Sequence, residues 1–129
     1  VIKRRHKYGA KRTEVDGILF DSQKEARRYV ELKLAEKAGE IRNLRLQPEF
    51  LLTAELMLGD ISRERDPAVV GKYRGDFAYE ERLVPKGGPV GLRREWREVV
   101  EDVKGFDNPL SRWKRRHVQA QYGITVRLT

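Results

Sequence analysis

The chain has no cysteine and only one methionine in 129 residues. Without thiols it can have neither a disulfide framework nor a thiolate metal site. Any metal must therefore be held by oxygen donors or by one of two histidines, His6 and His117. No stretch approaches the ~20 consecutive apolar residues of a membrane span, and no signal-peptide pattern is present. The expectation is a cytoplasmic protein with no membrane partner and no small-molecule cofactor. Hydrophobic residues make up only 39% of the chain and charged residues 37%, which suits a small domain with a modest core and a wide wetted surface.

Acids are scarce at both ends. Residues 1–14 carry a net +5 and residues 111–129 another +5, while the long middle segment carries −2, for a total of +8. Basic termini around a slightly acidic body point to a polyanionic partner, with nucleic acid foremost. The competing interpretation is a pair of solubilising faces. Val1–Arg12, with Lys3, Arg4, Arg5, Lys7, Lys11 and Arg12, has no apolar periodicity and is expected to be an extended basic arm. Residues 13–129 are expected to form a single domain.

Asp16-Gly17 predicts a tight hairpin within Thr13–Phe20. A helix is predicted from Ser22 to Ala38, with Tyr29, Leu32, Leu34 and Ala35 as its apolar stripe and Gly39 closing it. Two roles are open to Glu25. It completes an S-x-x-E capping box with Ser22, or it projects from the first turn into a metal site. Ile41–Thr53 reads as a turn leading into one strand in which Leu46, Phe50 and Leu52 share a face, with Pro48 marking an edge or bulge. Residues 55–71 read as an irregular insertion. Lys72–Glu80 reads as a strand with Tyr73, Phe77 and Tyr79 on one face and Asp76 on the other. The Pro85–Pro89 turn should return the chain antiparallel along a strand at Val99–Lys104, bringing Asp76 beside Asp102. Asn108-Pro109 starts a second helix, closed by Gly123. Its expected apolar members are Leu110, Trp113, Val118 and Ala120, and its cationic members Arg112, Lys114, Arg115 and Arg116. Ile124–Leu128 follows as a strand, placed parallel by a right-handed crossover.

Residues 96–105 (WREVVEDVKG) are the chemical focus. On a strand, alternation puts Asp102 and Lys104 on one face, roughly 6–7 Å apart at ~3.3 Å per residue. The same alternation turns Glu101 to the opposite face. A carboxylate and an ammonium so placed can hold a divalent cation and polarise a water or phosphate oxygen beside it. A solvated strand-edge ion pair is the alternative.

Glutamate on an N-terminal helix, an aspartate on a strand, then Asp102-x-Lys104 before a helix and strand, resembles the PD-(D/E)XK nuclease superfamily. More closely, KYGAKRTEVDGILFDSQKEARRY, GEIRNLRLQPEF, KYRGDFAYEE and VVEDVKG resemble small phage-type Holliday-junction resolvases and related endonucleases, over roughly Lys7–Arg127. Gly75 stands where the superfamily's name has proline. The resemblance implies an α/β fold with a mixed central β-sheet flanked by helices. It also implies a Mg²⁺ site that accepts Mn²⁺, phosphodiester hydrolysis in DNA recombination or repair, and, for a phage-encoded protein, residence in the host cytoplasm. Glu25, Asp76 and Asp102 would bind the metal, with the Val103 carbonyl as a further oxygen ligand. Lys104 would orient the attacking water and offset charge on the phosphorane. Gln47 would contact the phosphate or the metal's waters, or is a surface amide beside a proline. Arg112, Lys114, Arg115 and Arg116 would face DNA, or are a solvated helix face. His6 and His117 receive no role.

The resulting expectation is a homodimeric, metal-dependent endonuclease that makes paired nicks in four-way junctions. A nicking or repair endonuclease of the same fold and a non-catalytic basic nucleic-acid-binding module are the alternatives. The arm gives the first test. Log affinity falls with log salt by ~0.9 per neutralised phosphate. Deleting residues 1–12 should therefore weaken DNA binding and flatten the salt slope by at most about 5. An unchanged slope would make the arm a bystander.

Overall fold

The computed structural model describes residues 12–55, 67–84, 95–103 and 107–129. Its elements follow the order β1 (Thr13–Val15), β2 (Ile18–Phe20), α1 (Gln23–Lys37), β3 (Ile41–Leu46), β4 (Glu49–Ala54), β5 (Ala68–Arg74), β6 (Phe77–Arg82), β7 (Trp96–Asp102), α2 (Pro109–Tyr122) and β8 (Thr125–Leu128). This is an α/β chain whose central four-stranded sheet has the order β3-β6-β7-β8. Two separate two-stranded sheets pair β1 with β2 and β4 with β5. β7 and β8 are parallel, Val99 opposite Thr125 and Asp102 opposite Leu128, as the crossover through α2 requires. Among the described residues no helix is long and apolar enough to cross a membrane. The chain gathers into two compact units, Val1–Leu44 with Tyr79–Arg97, and Arg45–Ala78 with Glu98–Thr129.

In the first unit, Asp16 (φ 53°) and Gly17 (φ 75°) turn β1 back on β2. Positive φ at both turn residues matches the twist of the flanking strands. Ser22 caps α1, its Oγ accepting the Glu25 N–H at 3.1 Å. Gly39, at φ 77°, follows the last turn. Ala26, Tyr29 and Leu32 are buried, and the Tyr29 ring lies 5.0 Å from that of Phe20, so α1 packs on the hairpin. Leu34, expected in the apolar stripe, is exposed. Two residues beyond Leu32, it points about 200° around the helix from that side chain. The Arg42 and Arg82 guanidinium groups lie 4.2 and 5.0 Å from the Trp96 ring centroid. Glu80 Oε2 accepts hydrogen bonds from Arg42 and Asn43.

The second unit revises two expected strands. Residues 41–53 are not a turn leading into one strand but two strands, β3 and β4, in different sheets. The break falls at Gln47, which takes φ 50°, and Pro48, which has no N–H to donate. Residues 72–80 likewise divide into β5 and β6, with Gly75-Asp76 between them. β5 begins at Ala68, inside the segment expected to be irregular, and pairs antiparallel with β4 across a register shift at Leu52/Thr53. Met57 and Leu58, expected to pack, lie outside the described residues, as does the Pro85–Pro89 turn.

Leu52, Tyr73, Ala78, Val100 and Val118 form this unit's core, with Phe50, Ile124 and Val126 against it. α2 is capped by Asn108, whose Oδ1 accepts the Ser111 N–H at 2.8 Å, and ends at Gly123 (φ 65°). Of its expected apolar members only Val118 is buried; Leu110, Trp113 and Ala120 are exposed. The helix docks partly through polar side chains. Gln121 Nε2 and the Tyr122 hydroxyl donate to the Leu51 carbonyl, and Gln121 Oε1 accepts the Thr53 N–H. His117 Nε2 lies 2.9 Å from the Thr53 carbonyl. A carbonyl only accepts, so this nitrogen carries the proton.

Gly75 is fixed by close approach. A Cβ there would stand 2.6 Å from Val100 Cγ1 and 3.3 Å from the Glu101 carbonyl oxygen. Val100 is fully buried and β-branched, so it yields poorly. Overpacking costs typically ~1–3 kcal/mol, against the ~0.4–1 kcal/mol that alanine gains by restricting the unfolded chain. Gly75→Ala should therefore lower stability by about 1–2 kcal/mol, measured by urea unfolding. An unchanged midpoint would mean the strands part at no cost.

Candidate active site

The break between β5 and β6 holds Asp76 through its main chain. Gly75 N–H donates to the Pro48 carbonyl at 3.0 Å, and Gln47 N–H donates to the Asp76 carbonyl at 2.8 Å. On the other side, Asp76 N–H donates to the Glu101 carbonyl at 2.9 Å. The half-buried Asp76 carboxylate then accepts the Val103 N–H through Oδ2 at 2.6 Å. A carboxylate accepting a main-chain N–H is among the stronger hydrogen bonds. Asp76, expected beside Asp102 on a continuous strand, is thereby tied to the residue that follows Asp102, and it sits at a strand break.

Asp102 is buried, 4% exposed. Its Oδ2 accepts the Tyr73 hydroxyl at 2.9 Å, and its carbonyl accepts the Thr129 N–H at 3.2 Å. Burial raises the Tyr73 pKa well above that of an ordinary phenol. The Asp102 charge, its hydrogen bond and the Asp76 charge raise it further, and Arg115 opposes them. Tyr73 thus senses both carboxylates, so the two aspartates and the phenol share one electrostatic environment. Glu101, on the other side of the strand, is fully buried and stands opposite Arg127 of β8.

Arg115 departs from its expected place on a DNA-facing surface. It is 7% exposed, and its two terminal nitrogens donate to the two Asp107 oxygens at 2.8 and 2.7 Å. Planar two-point pairing is what makes arginine tolerable at a buried position. Its pKa is raised, first by the Asp107 hydrogen bond. Arg112 and Arg116 are exposed and Lys114 is half-exposed. Gln47 does reach the site, by its main chain; its Oε1 accepts a hydrogen bond from Arg74.

Glu25 belongs to the first unit, where it is buried and its N–H completes the Ser22 cap. Lys104, Lys3, Arg4, Arg5, Lys7 and Lys11 lie outside the described residues. Arg12 is exposed, 4.0 Å from Asp21. Sequence reasoning missed Tyr73 as a donor to Asp102, having read it as a packing residue. No pattern in the sequence distinguishes a buried tyrosine that donates from one that only fills space.

Among the described residues no group of three or more His, Cys, Asp or Glu side chains gathers to hold a metal. Asp76 and Asp102 supply two carboxylates from segments tied together by hydrogen bonds. That donor chemistry fits Mg²⁺, which is commonly held by one or two carboxylates plus waters and substrate phosphates.

Residues 5–129 match the model of a family described as a protein of unknown function (DUF1064), and the chain belongs to that family. Searches of curated proteins and of solved structures find no match.

The Tyr73–Asp102 pair predicts an alkaline signature. In the unfolded chain the phenol ionises near pH 10; in the folded protein it holds its proton to higher pH. Its contribution is therefore complete below pH ~10 and declines as pH rises above that value, by up to about 1.4 kcal/mol per pH unit. Tyr73→Phe should remove that share of the alkaline loss of stability while lowering stability at neutral pH. Urea unfolding of both proteins across pH 8–11 tests this, and parallel alkaline limbs would refute the assignment.

Proposed function

We propose that this protein is a divalent-metal-dependent DNA endonuclease that hydrolyses phosphodiesters in branched DNA as a homodimer, in the manner of a junction resolvase. The observation that carries the reading is the union of Asp76 with the end of β7, where its carboxylate accepts the Val103 N–H beside buried Asp102. Support also comes from the order of acidic residues and Lys104 along the sequence, and from the strongly basic α2.

In this reading Asp76 and Asp102, with the Val103 carbonyl, are the metal donors, and Glu25 joins them on the sequence resemblance alone. Bound Mg²⁺ or Mn²⁺ supplies an acidified water and neutralises phosphate charge. Tyr73 fixes the rotamer of Asp102 through its hydroxyl. Lys104 orients the attacking water and offsets the negative charge that develops on phosphorus-bound oxygens. Arg112, Lys114 and Arg116 hold backbone phosphates, while Arg115 steadies the start of α2 through Asp107. A non-catalytic nucleic-acid-binding module is the second reading. It is favoured by the Tyr73–Asp102 bond, which also suits a purely structural carboxylate.

Single-turnover cleavage of a mobile four-way junction and a matched linear duplex, with and without Mg²⁺, separates the two. Cutting should prefer the junction and stop in chelator. Asp76→Asn and Asp102→Asn should each lose ~10²-fold or more, the scale of removing one preorganised electrostatic contact, while retaining junction binding in chelator. Wild-type rates in either variant would sink the site. No cutting of any substrate by the wild-type protein with either ion would establish the binding module.

A further inference from the structure

α2 buries an arginine and exposes a tryptophan. Trp113 is 71% exposed and Leu110 64% exposed, whereas Arg115 is 7% exposed on the same helix. Trp113 lies in an open groove lined by Pro109, Arg112, Arg116, His117 and Ala120. The helix has no acidic residue (PLSRWKRRHVQAQY). Arg112 and Arg116 are exposed and form no ion pair among the described residues. Arg116 is three positions beyond Trp113, hence its neighbour on the helix surface.

We infer that this face of α2 binds unpaired nucleotides, with Trp113 stacking on a base and Arg112 and Arg116 holding the flanking phosphates. The inference depends on the proposed function only in taking nucleic acid as the partner. An exposed indole needs no hydrogen-bond partner to stack, every base offers a π-face, and adjoining guanidinium groups supply the charge that draws a strand in. Charge complementarity selects this occupant over a second copy of the chain. A two-fold contact centred on Trp113 would press two cationic helices together with no acidic residue on either to offset their charge, and like charges opposed in an interface are costly. Trp96, the only other tryptophan, is instead occupied by Arg42 and Arg82, so fluorescence responding to a ligand on α2 should come from Trp113.

Binding to oligothymidylate and to a blunt duplex is measured in chelator, so the outcome does not depend on whether the protein cuts DNA. Trp113→Ala should weaken oligothymidylate binding by roughly 5- to 150-fold, the range for losing one base–aromatic stack, with the salt slope unchanged. Its effect on duplex binding should be much smaller. Trp113→Phe should restore most of the affinity but abolish the fluorescence quenching that the wild-type protein shows on binding. Arg112→Ala and Arg116→Ala should each flatten the single-strand salt slope by ~0.7. Trp113 is exposed, so these variants should fold, and circular dichroism checks that they do. The inference is overturned if Trp113→Ala binds oligothymidylate like wild type, or if duplex and single strand weaken equally. It is also overturned if the substitution converts a dimer to a monomer in sedimentation, because Trp113 would then belong to a protein interface.

Discussion

The second unit depends on one short interruption. β5 and β6 could have run on as a single strand, since the alternation of Tyr73, Phe77 and Tyr79 continues past the break. At Gly75 the chain instead comes close to β7, and the main chain at residues 75 and 76 turns its hydrogen bonds to Pro48, Gln47 and Glu101. Main-chain groups cannot be buried unpaired without a cost comparable to a lost hydrogen bond. Each of these bonds therefore fixes the position of Asp76 while satisfying the backbone. The carboxylate is held by the fold before any ligand arrives, which is the condition under which charge is effective in a site.

Burial raises the stakes for the neighbouring charges. Removing a carboxylate from water is expensive, and it is tolerated where hydrogen bonds replace the lost hydration. Tyr73 does this for Asp102, and the two-point Asp107 pair does it for Arg115. The two pairs are coupled, because Arg115 and Tyr73 each feel Asp102. Asp107 lies just before Asn108, the cap of α2, so its ion pair anchors the start of the helix as well as neutralising a buried cation. A polar network of this kind holds a single arrangement more firmly than an apolar contact does, provided every member is satisfied.

Local signals were legible in the sequence because short-range chemistry decides them. Asp16-Gly17 demanded positive φ, Ser22 and Asn108 offered side-chain oxygens to the first turns of their helices, Gly123 permitted the left-handed end, and a strand after a helix had to return parallel. The strand breaks were not legible. Period-two alternation is blind to a two-residue interruption that preserves the face, and Pro48 signals an edge without saying that the chain changes sheets there. The pairing of Asp76 with the end of β7 was legible as a relation between motifs. Its partners were not, because the Tyr73 hydroxyl and the Val103 N–H become donors to aspartates only through tertiary placement. The DUF1064 family adds membership without a function, so the chemistry rests on these residues.

α2 shows why composition misled the reading of its faces. Counting apolar residues assigns Leu110, Trp113, Val118 and Ala120 to the core, yet their positions do not form one stripe. Trp113 and Val118, five residues apart, lie about 140° apart around the axis. Only one of them can face the β4–β5 sheet, and Val118 does, alongside the hydrogen-bonding groups of Gln121 and Tyr122. Arg115 shares that inward side because Asp107 is there to receive it. The helix orientation is thus set by polar partners and one valine rather than by the largest apolar surface. What remains outside is an indole among cations, a combination that a solvated helix face does not require and that a polyanion with exposed π-faces can use.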